Sequence, residues 1–413
     1  MRVSLIGQKC TSICCFCSFY RYADILYDII NDENYDNQMR PSAGGPPVNV
    51  SVSLFITSIH SLSEISMDFG ATLFLSLYWL DPRFIFNGTE PIALRSGSEL
   101  LDKLWTPDLY FVNVKEGQVH KVTIINRHIR VSPNGTILYD MRVSVILICN
   151  LYLHHYPMDK QTCRIEIESF GYTTSDVRLL WDKNFPADIQ EDLVMPEFSM
   201  SYPAVNSTVV HYPQLGDYDQ LYCSFSLHRE LIYYVLEHYV PSTLMVIVSW
   251  VSFWLNVEAT PARAGLGITT ALTLATLSSS ARAHMAKVSY TKAIDIWMLV
   301  CSLFVFAALV EFALASYFHK KIHSERYAKQ RDDVSNGNSW IELQERASLR
   351  RRTGEKLANL EGKPTSVHIK TTQPSDFKRI SKTIDKYSRF FFPFIFTLFN
   401  VIYWPYYLHG YYN

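Results

Sequence analysis

The sequence predicts an extracellular β-sandwich followed by a four-helix transmembrane bundle, and two patterns carry that prediction. In the first half, short segments of alternating polarity recur between turn signals, as they do in sandwiches. Beyond about residue 238, four uncharged stretches follow one another, more than a soluble core needs. Composition alone decides little. With 413 residues, 39 acidic against 38 basic side chains and 48% hydrophobic residues, the chain would suit a large soluble protein of two or more domains. The balanced charge argues against a nucleic-acid binder.

Met1 to Tyr20 has a basic start and an apolar middle, as a signal segment would. Cys10, Cys14, Cys15 and Cys17 make it atypical, no small-residue cleavage site follows, and their spacing fits no metal site. Tyr22 to Ile30 can form a short helix, and Pro41 to Pro47 is the punctuation after it. Alternation begins at Val48 to Leu54 and returns at Thr72 to Leu77, with turn signals at Asp81-Pro82, Asn87-Gly88, Glu116-Gly117 and Asn134-Gly135. Cys149 and Cys163, with 13 residues between them, can close a loop worth about 3 kcal/mol if the domain is exported. The loop carries Tyr156-Pro157-Met158-Asp159, an apolar tip with an acid that can press on another element. Cys223 has no evident partner and is expected to be buried. Glycosylation sequons stand at Asn49, Asn87, Asn134 and Asn206, all before the first uncharged stretch.

The uncharged stretches are Tyr239 to Val257, Ala264 to Ala281, Ile296 to Val310 and Phe390 to Leu408. About 20 helical residues cross a bilayer core of roughly 30 Å. The third reaches that length only with Glu311 in or near the span. The second holds six Ser and Thr between Thr269 and Ser279, which suits a helix lining a wet channel better than one facing lipid. The connection from His319 to Lys386 carries 16 Lys and Arg against 9 Asp and Glu, so it stays cytosolic. It reads as mostly disordered or partly helical. Four spans then leave both termini outside.

Stepping three or four residues from Gly265 along the second stretch gives Thr269, Leu272, Thr276 and Ser279. Hydroxyls can replace part of an ion's hydration shell, and a ring of Leu272 side chains would dry and close a narrow pore. At the inner end the helix N-terminus points positive dipole ends at the pore, Arg263 adds charge beside it, and no acid occurs from Ala259 through Gly265. A flank that turns Arg263 away from the pore is the competing reading, and it still leaves anions favoured. Arg282 near the outer mouth would attract anions too.

Several motifs, in order, resemble the Cys-loop (pentameric) ligand-gated ion channel superfamily. They are the Cys149–Cys163 loop, Trp105-Thr-Pro-Asp108, Pro241, and Trp250-Val-Ser-Phe-Trp254. Pro261-Ala262-Arg263 and Leu266-Gly-Ile-Thr-Thr270 resemble its anion-selective branch, that of GABA, glycine and invertebrate glutamate-gated chloride channels. The resemblance runs from about residue 24 to 408 apart from the cytoplasmic connection. It implies a pentameric receptor subunit in a homo- or hetero-pentamer of related subunits, with selectivity at Pro261, Ala262 and Arg263. Where the cation-selective branch carries a glutamate, this chain has Ala262. A small-molecule agonist would bind at subunit interfaces and open a path for chloride through the plasma membrane, with a synapse as the implied setting. The implied agonist site is Tyr110, Glu168, Phe170, Tyr172 and Tyr218, faced by Phe74 of the neighbouring subunit. Glu168 would hold a ligand ammonium. Asp159, Arg229, Lys287 and Lys292 are the implied coupling set.

Three departures bear on the agonist. Ser76 stands where GABA and glutamate receptors have an arginine for the ligand carboxylate. Leu215 replaces a hydroxyl residue, and Tyr212 stands where a second disulfide would need a cysteine. A carboxylate-free amine is therefore expected, unless a partner subunit supplies the arginine. A proton or zinc trigger at His60, His120, His128 or His211 is the alternative. No nucleotide loop, nucleophile elbow or zinc-protease motif occurs, so no enzyme, cofactor, metal or nucleic-acid partner is expected. The expected organisation is a signal at 1–20, the sandwich at 21–232, three membrane helices at 233–318, the cytoplasmic connection at 319–386 and the last helix at 387–413.

Overall fold

Side chains that alternate along the chain bury one face of each strand, and from Val48 onward this builds two sheets. A computed structural model describes residues 25–32, 35–96, 99–256, 259–283, 285–352 and 375–412. The expected signal at 1–20 lies outside them, and residues 25–30 form the short N-terminal helix. The first seven strands are β1 (Val48–Ser63), β2 (Asp68–Ile85), β3 (Ile92–Arg95), β4 (Leu109–Phe111), β5 (Val114–Val119), β6 (Arg127–Val131) and β7 (Asn134–Ile148). The remainder are β8 (Lys160–Ser169), β9 (Val177–Trp181), β10 (Ala187–Ile189), β11 (Phe198–Met200), β12 (Ala204–Tyr212) and β13 (Gly216–Arg229).

One sheet runs β10-β1-β2-β7-β6-β3, with β5 on β7 and β9 on β1; the other runs β11-β13-β8-β4, with β12 on β13. Val50, Val52, Leu54, Leu73, Leu75 and Leu77 of the first sheet are buried, as are Ile165, Ile167, Leu221 and Phe225 of the second. Burying such a side chain is worth about 1.5–3 kcal/mol. Phe69 meets Phe225 edge to face across the core at 5.4 Å. Cys149 and Cys163 form the disulfide, Cα to Cα 5.4 Å, and Cys223 is a buried free thiol.

Two of the four turn signals fall inside strands. Asp81-Pro82 lies in β2 where its register with β7 shifts between Leu80 and Ile85, and Glu116-Gly117 lies in β5 beside a shift after Val114. Pro and Gly are tolerated at such irregularities, so these dipeptides marked bulges. Asn134-Gly135 does turn the β6–β7 hairpin. Gly135 has φ +82°, and a Cβ there would stand 2.7 Å from the Asp81 carbonyl oxygen.

The helices from Leu231 onward form a second compact unit, together with His155–Pro157 at the tip of the disulfide loop. A helical turn at Ile232–Tyr234 and a wide turn at Val235–Tyr239 lead into α1 (Val240–Trp250). Pro241 sits in the first turn of α1, where its missing N–H costs little. A tight turn at Val251–Trp254 ends it. Then come α2 (Thr260–Ala283), α3 (Ala293–Arg352) and α4 (Ser375–Tyr412). Two segments, Ala293–Lys321 and Thr383–His409, are long and apolar enough on their own to cross a membrane.

The connection, expected to be mostly disordered or partly helical, is helical where it is described. α3 continues through Arg352, 60 residues in all, or about 90 Å. The part after His319 is rich in Arg, Lys and Glu and contains no Pro before Arg352, so helix propensity carries it on. Trp297 of α3 is the hub of the bundle. Its ring lies 5.0–6.1 Å from those of Tyr239, Phe396, Phe399, Tyr403 and Trp404, and its Nε1–H donates to Ser242 Oγ at 2.8 Å. Trp297→Ala is expected to cost about 3–5 kcal/mol and to cut surface delivery in a biotinylation assay. Leu299→Ala, at an exposed position, is expected to leave delivery unchanged.

Candidate functional site

Glu168 is the penultimate residue of β8, on the face opposite the core-facing Ile165 and Ile167. It is paired in register with Tyr110 of β4 and Gln220 of β13. Its side chain is buried, and phenols close over it from two strands. Tyr110 donates to Oε1 at 3.4 Å and Tyr212, at the end of β12, donates to Oε2 at 3.5 Å. Phe170 meets Tyr110 at 5.8 Å, and Tyr218 meets Tyr212 at 5.5 Å. Burial pushes the Glu168 carboxyl above its ordinary value, opposed by the Tyr212 and Tyr110 hydrogen bonds. Burial, then the neighbouring Glu168 charge, pushes the Tyr110 phenol to about 12. The result is an acid lined by aromatic rings, with Phe170 largely exposed at its edge, suited to an ammonium group.

The segment after Glu168 is held from below. Asp108 accepts from Ser169 Oγ at 2.6 Å and from the Gly171 amide at 2.7 Å. The Trp105 indole N–H donates to Tyr172 OH at 3.0 Å. Tyr172 is thus tied to a buried tryptophan, and the Trp105–Asp108 motif is the scaffold of the site.

Phe74 stands on the other sheet, in β2, and is not brought to Glu168 within one subunit. Directly opposite it in β7 is Arg142, whose guanidinium lies 5.8 Å from the Phe74 ring centroid. Ser76 donates to Asp140, and His128 of β6 lies 3.5 Å from the other oxygen of Asp140. Phe74, Arg127, His128, Asp140 and Arg142 line a depression of about 310 Å³. Sequence reasoning found Ser76 in place of an arginine and missed Arg142. The antiparallel β2–β7 register, which sets Phe74 opposite Arg142, would have found it.

On α2, Gly265, Thr269, Leu272, Thr276 and Ser279 share one exposed face, and Pro261 and Ala262 are exposed at its start. Leu272 is 65% exposed, uncovered by the other helices of its own subunit. The opposite face, Gly267, Thr270, Leu274 and Ala281, is buried. A Cβ on Gly267 would stand 2.2 Å from Leu309 Cδ2, so α2 and α3 approach closely there. Arg263 is on this buried side and fully covered. Its Nε–H donates to the Ser252 carbonyl at 2.6 Å, and Nη2 pairs with Asp385 of α4 at 2.9 Å. The expectation that Arg263 lines the pore is therefore corrected: two positions from Gly265 is about 200° around a helix, away from the Gly265 face. Arg282 lies 3.6 Å from Asp295, so its charge is partly answered.

Two family models match this chain: neurotransmitter-gated ion-channel ligand binding domain over residues 23–231, and neurotransmitter-gated ion-channel transmembrane region over 238–356. The chain belongs to the neurotransmitter-gated ion channel family. Members of this family are channels, not enzymes, and assemble as pentamers of related subunits.

Of the four residues expected to couple agonist binding to the pore, the structure joins two. Arg229 is fully buried, with Nε–H donating to Asp159 at 2.7 Å and Nη1 to Glu64 at 2.6 Å, above the Phe198 ring. Glu64 was missed, because it lies 165 positions from Arg229. Lys292 lies 3.8 Å from Asp295, and Lys287 is exposed. At the loop tip, the Tyr156 carbonyl accepts from the Ile294 amide at 3.2 Å. The histidines stand apart: His120 meets Ser144 and His211 meets Asp217. Among the described residues no group of three His, Cys, Asp or Glu could hold a metal. Asn49, Asn87, Asn134 and Asn206 are all exposed.

Proposed function

We propose that this subunit forms a chloride-selective pore opened by a carboxylate-free amine held at Glu168. The observation that carries the ion class is the exposed face of α2, which bears hydroxyls and one leucine and no acid at its inner end. Arg263 is neutralised by Asp385, so selection falls to the helix N-termini that converge on the inner mouth. The agonist class rests on Glu168 and on Asp140. An acid hydrogen-bonded to Ser76 on the Phe74 face repels a ligand carboxylate and tolerates an amine.

A second reading, an amino-acid agonist such as GABA, is favoured by Arg142. It forms no ion pair among the described residues, and it stands beside Phe74. Expressing the subunit alone and recording with dopamine, histamine, acetylcholine, GABA, glycine and glutamate separates the two. An amine is expected to open the channel and the amino acids to act weakly. Strong opening by GABA or glutamate would transfer the agonist to Arg142. Silence toward all six, with opening by a pH step or zinc, would demote Glu168 to an interface acid.

The arrangement fits a postsynaptic plasma membrane, with the sandwich, its four sequons and both termini outside. The connection after residue 318 then lies in the cytosol. Ala262→Glu is expected to place a carboxylate from each subunit at the inner mouth and to weaken anion preference. Its reversal potential should move away from the chloride value in a dilution series, and an unmoved value would remove this position from selectivity.

A further inference from the structure

The buried side of α2's first turn carries a polar network that the pore reading does not use. Arg263 is fully buried, and it reaches two other helices. Its Nε–H donates to the Ser252 carbonyl in the turn that ends α1, and Nη2 pairs with Asp385 of α4. Arg389, one turn further along α4, donates to the next carbonyl, Phe253, at 3.0 Å, and lies 4.6 Å from the Trp254 ring. Consecutive carbonyls at the end of α1 are thus capped by arginines from α2 and α4, as the negative end of a helix favours. Glu311 of α3 is buried beside them, and Phe312 lies 6.0 Å from the Arg263 guanidinium.

A guanidinium makes such a fork rigidly, and a buried charge without its partner is strongly unfavourable. The pair therefore fixes where the first turn of α2 sits. That turn also carries Pro261 and Ala262 at the exposed inner mouth. We infer that Asp385 of α4 is a positioning residue for the inner mouth of the pore, acting through Arg263 on the placement of α2's N-terminal turn. The inference does not depend on which ion the pore passes or which agonist opens it.

Asp385→Asn keeps the shape of the side chain and removes its charge. Single-channel conductance is read from patches on cells whose surface density is measured separately, opened by dopamine or GABA, whichever opens the wild type. In Asp385→Asn the conductance is expected to fall at least twofold, with broadened sublevels, while Asp385→Glu keeps the wild-type value. A protein with a merely structural role for Asp385 would lose surface density and keep conductance. Wild-type conductance in Asp385→Asn channels at the surface overturns the inference. If Asp385→Asn fails to reach the surface, Arg263→Lys decides. It keeps the positive charge and cannot hold both the Ser252 carbonyl and Asp385, so an unchanged conductance there overturns the inference equally.

Discussion

Glu168→Gln is expected to raise the half-maximal agonist concentration by about 100-fold or more. On the proposed reading, an ammonium held among Tyr110, Tyr212, Phe170 and Tyr218 loses the carboxylate on that face, and leaving a buried charge unpaired costs about 3–5 kcal/mol. Each 1.4 kcal/mol is tenfold in affinity. Glu166→Gln is the control, since Glu166 lies one turn of the pleat away and is less buried. It should shift the concentration far less. The same carboxyl predicts a pH dependence with a definite sign. Burial raises its pKa, so acidification protonates it above the ordinary carboxylate range and removes the partner of the ammonium. The agonist concentration required should rise as pH falls, and Glu168→Gln should abolish that rise. A wild-type response in Glu168→Gln would take Glu168 out of the agonist site.

Leu272→Ser is expected to open the channel without agonist and to lower the agonist concentration about tenfold or more. If the exposed face of α2 lines the pore, as proposed, a ring of leucines in the middle of its hydroxyls would hold the closed pore dry. Ser brings an O–H and removes the apolar branch, so water enters at lower cost. The checks are holding current in agonist-free solution and the concentration–response curve. Absence of both leak and leftward shift would reduce Leu272 to a packing residue, which its exposure within the subunit makes hard to account for.

The sandwich and the exposed face of α2 were legible in the sequence because each rests on local period, and the disulfide because its two cysteines lie close along the chain. Alternation marked β1 and β2, and steps of three and four from Gly265 picked out one exposed face of α2. Long-range partners were not legible. Asp385 lies 122 positions from Arg263, and Glu64 lies 165 from Arg229, and no periodicity links such pairs. Tyr212 was noticed only as the place where a cysteine is missing; its phenol instead covers Glu168. The Asp81-Pro82 and Glu116-Gly117 signals were misassigned because Gly and Pro mark bulges as readily as turns. The connection after His319 was left between disorder and partial helix because charge was weighed above helix propensity.

Chloride is proposed to carry the current through this subunit. The direct test is the reversal potential of agonist-evoked current while external chloride is replaced by an impermeant anion at constant sodium. With a chloride-selective pore the potential is expected to shift positive by about 59 mV per tenfold dilution. A reversal potential that stays fixed as external chloride is replaced, and moves only when external sodium is replaced in turn, would contradict chloride selectivity.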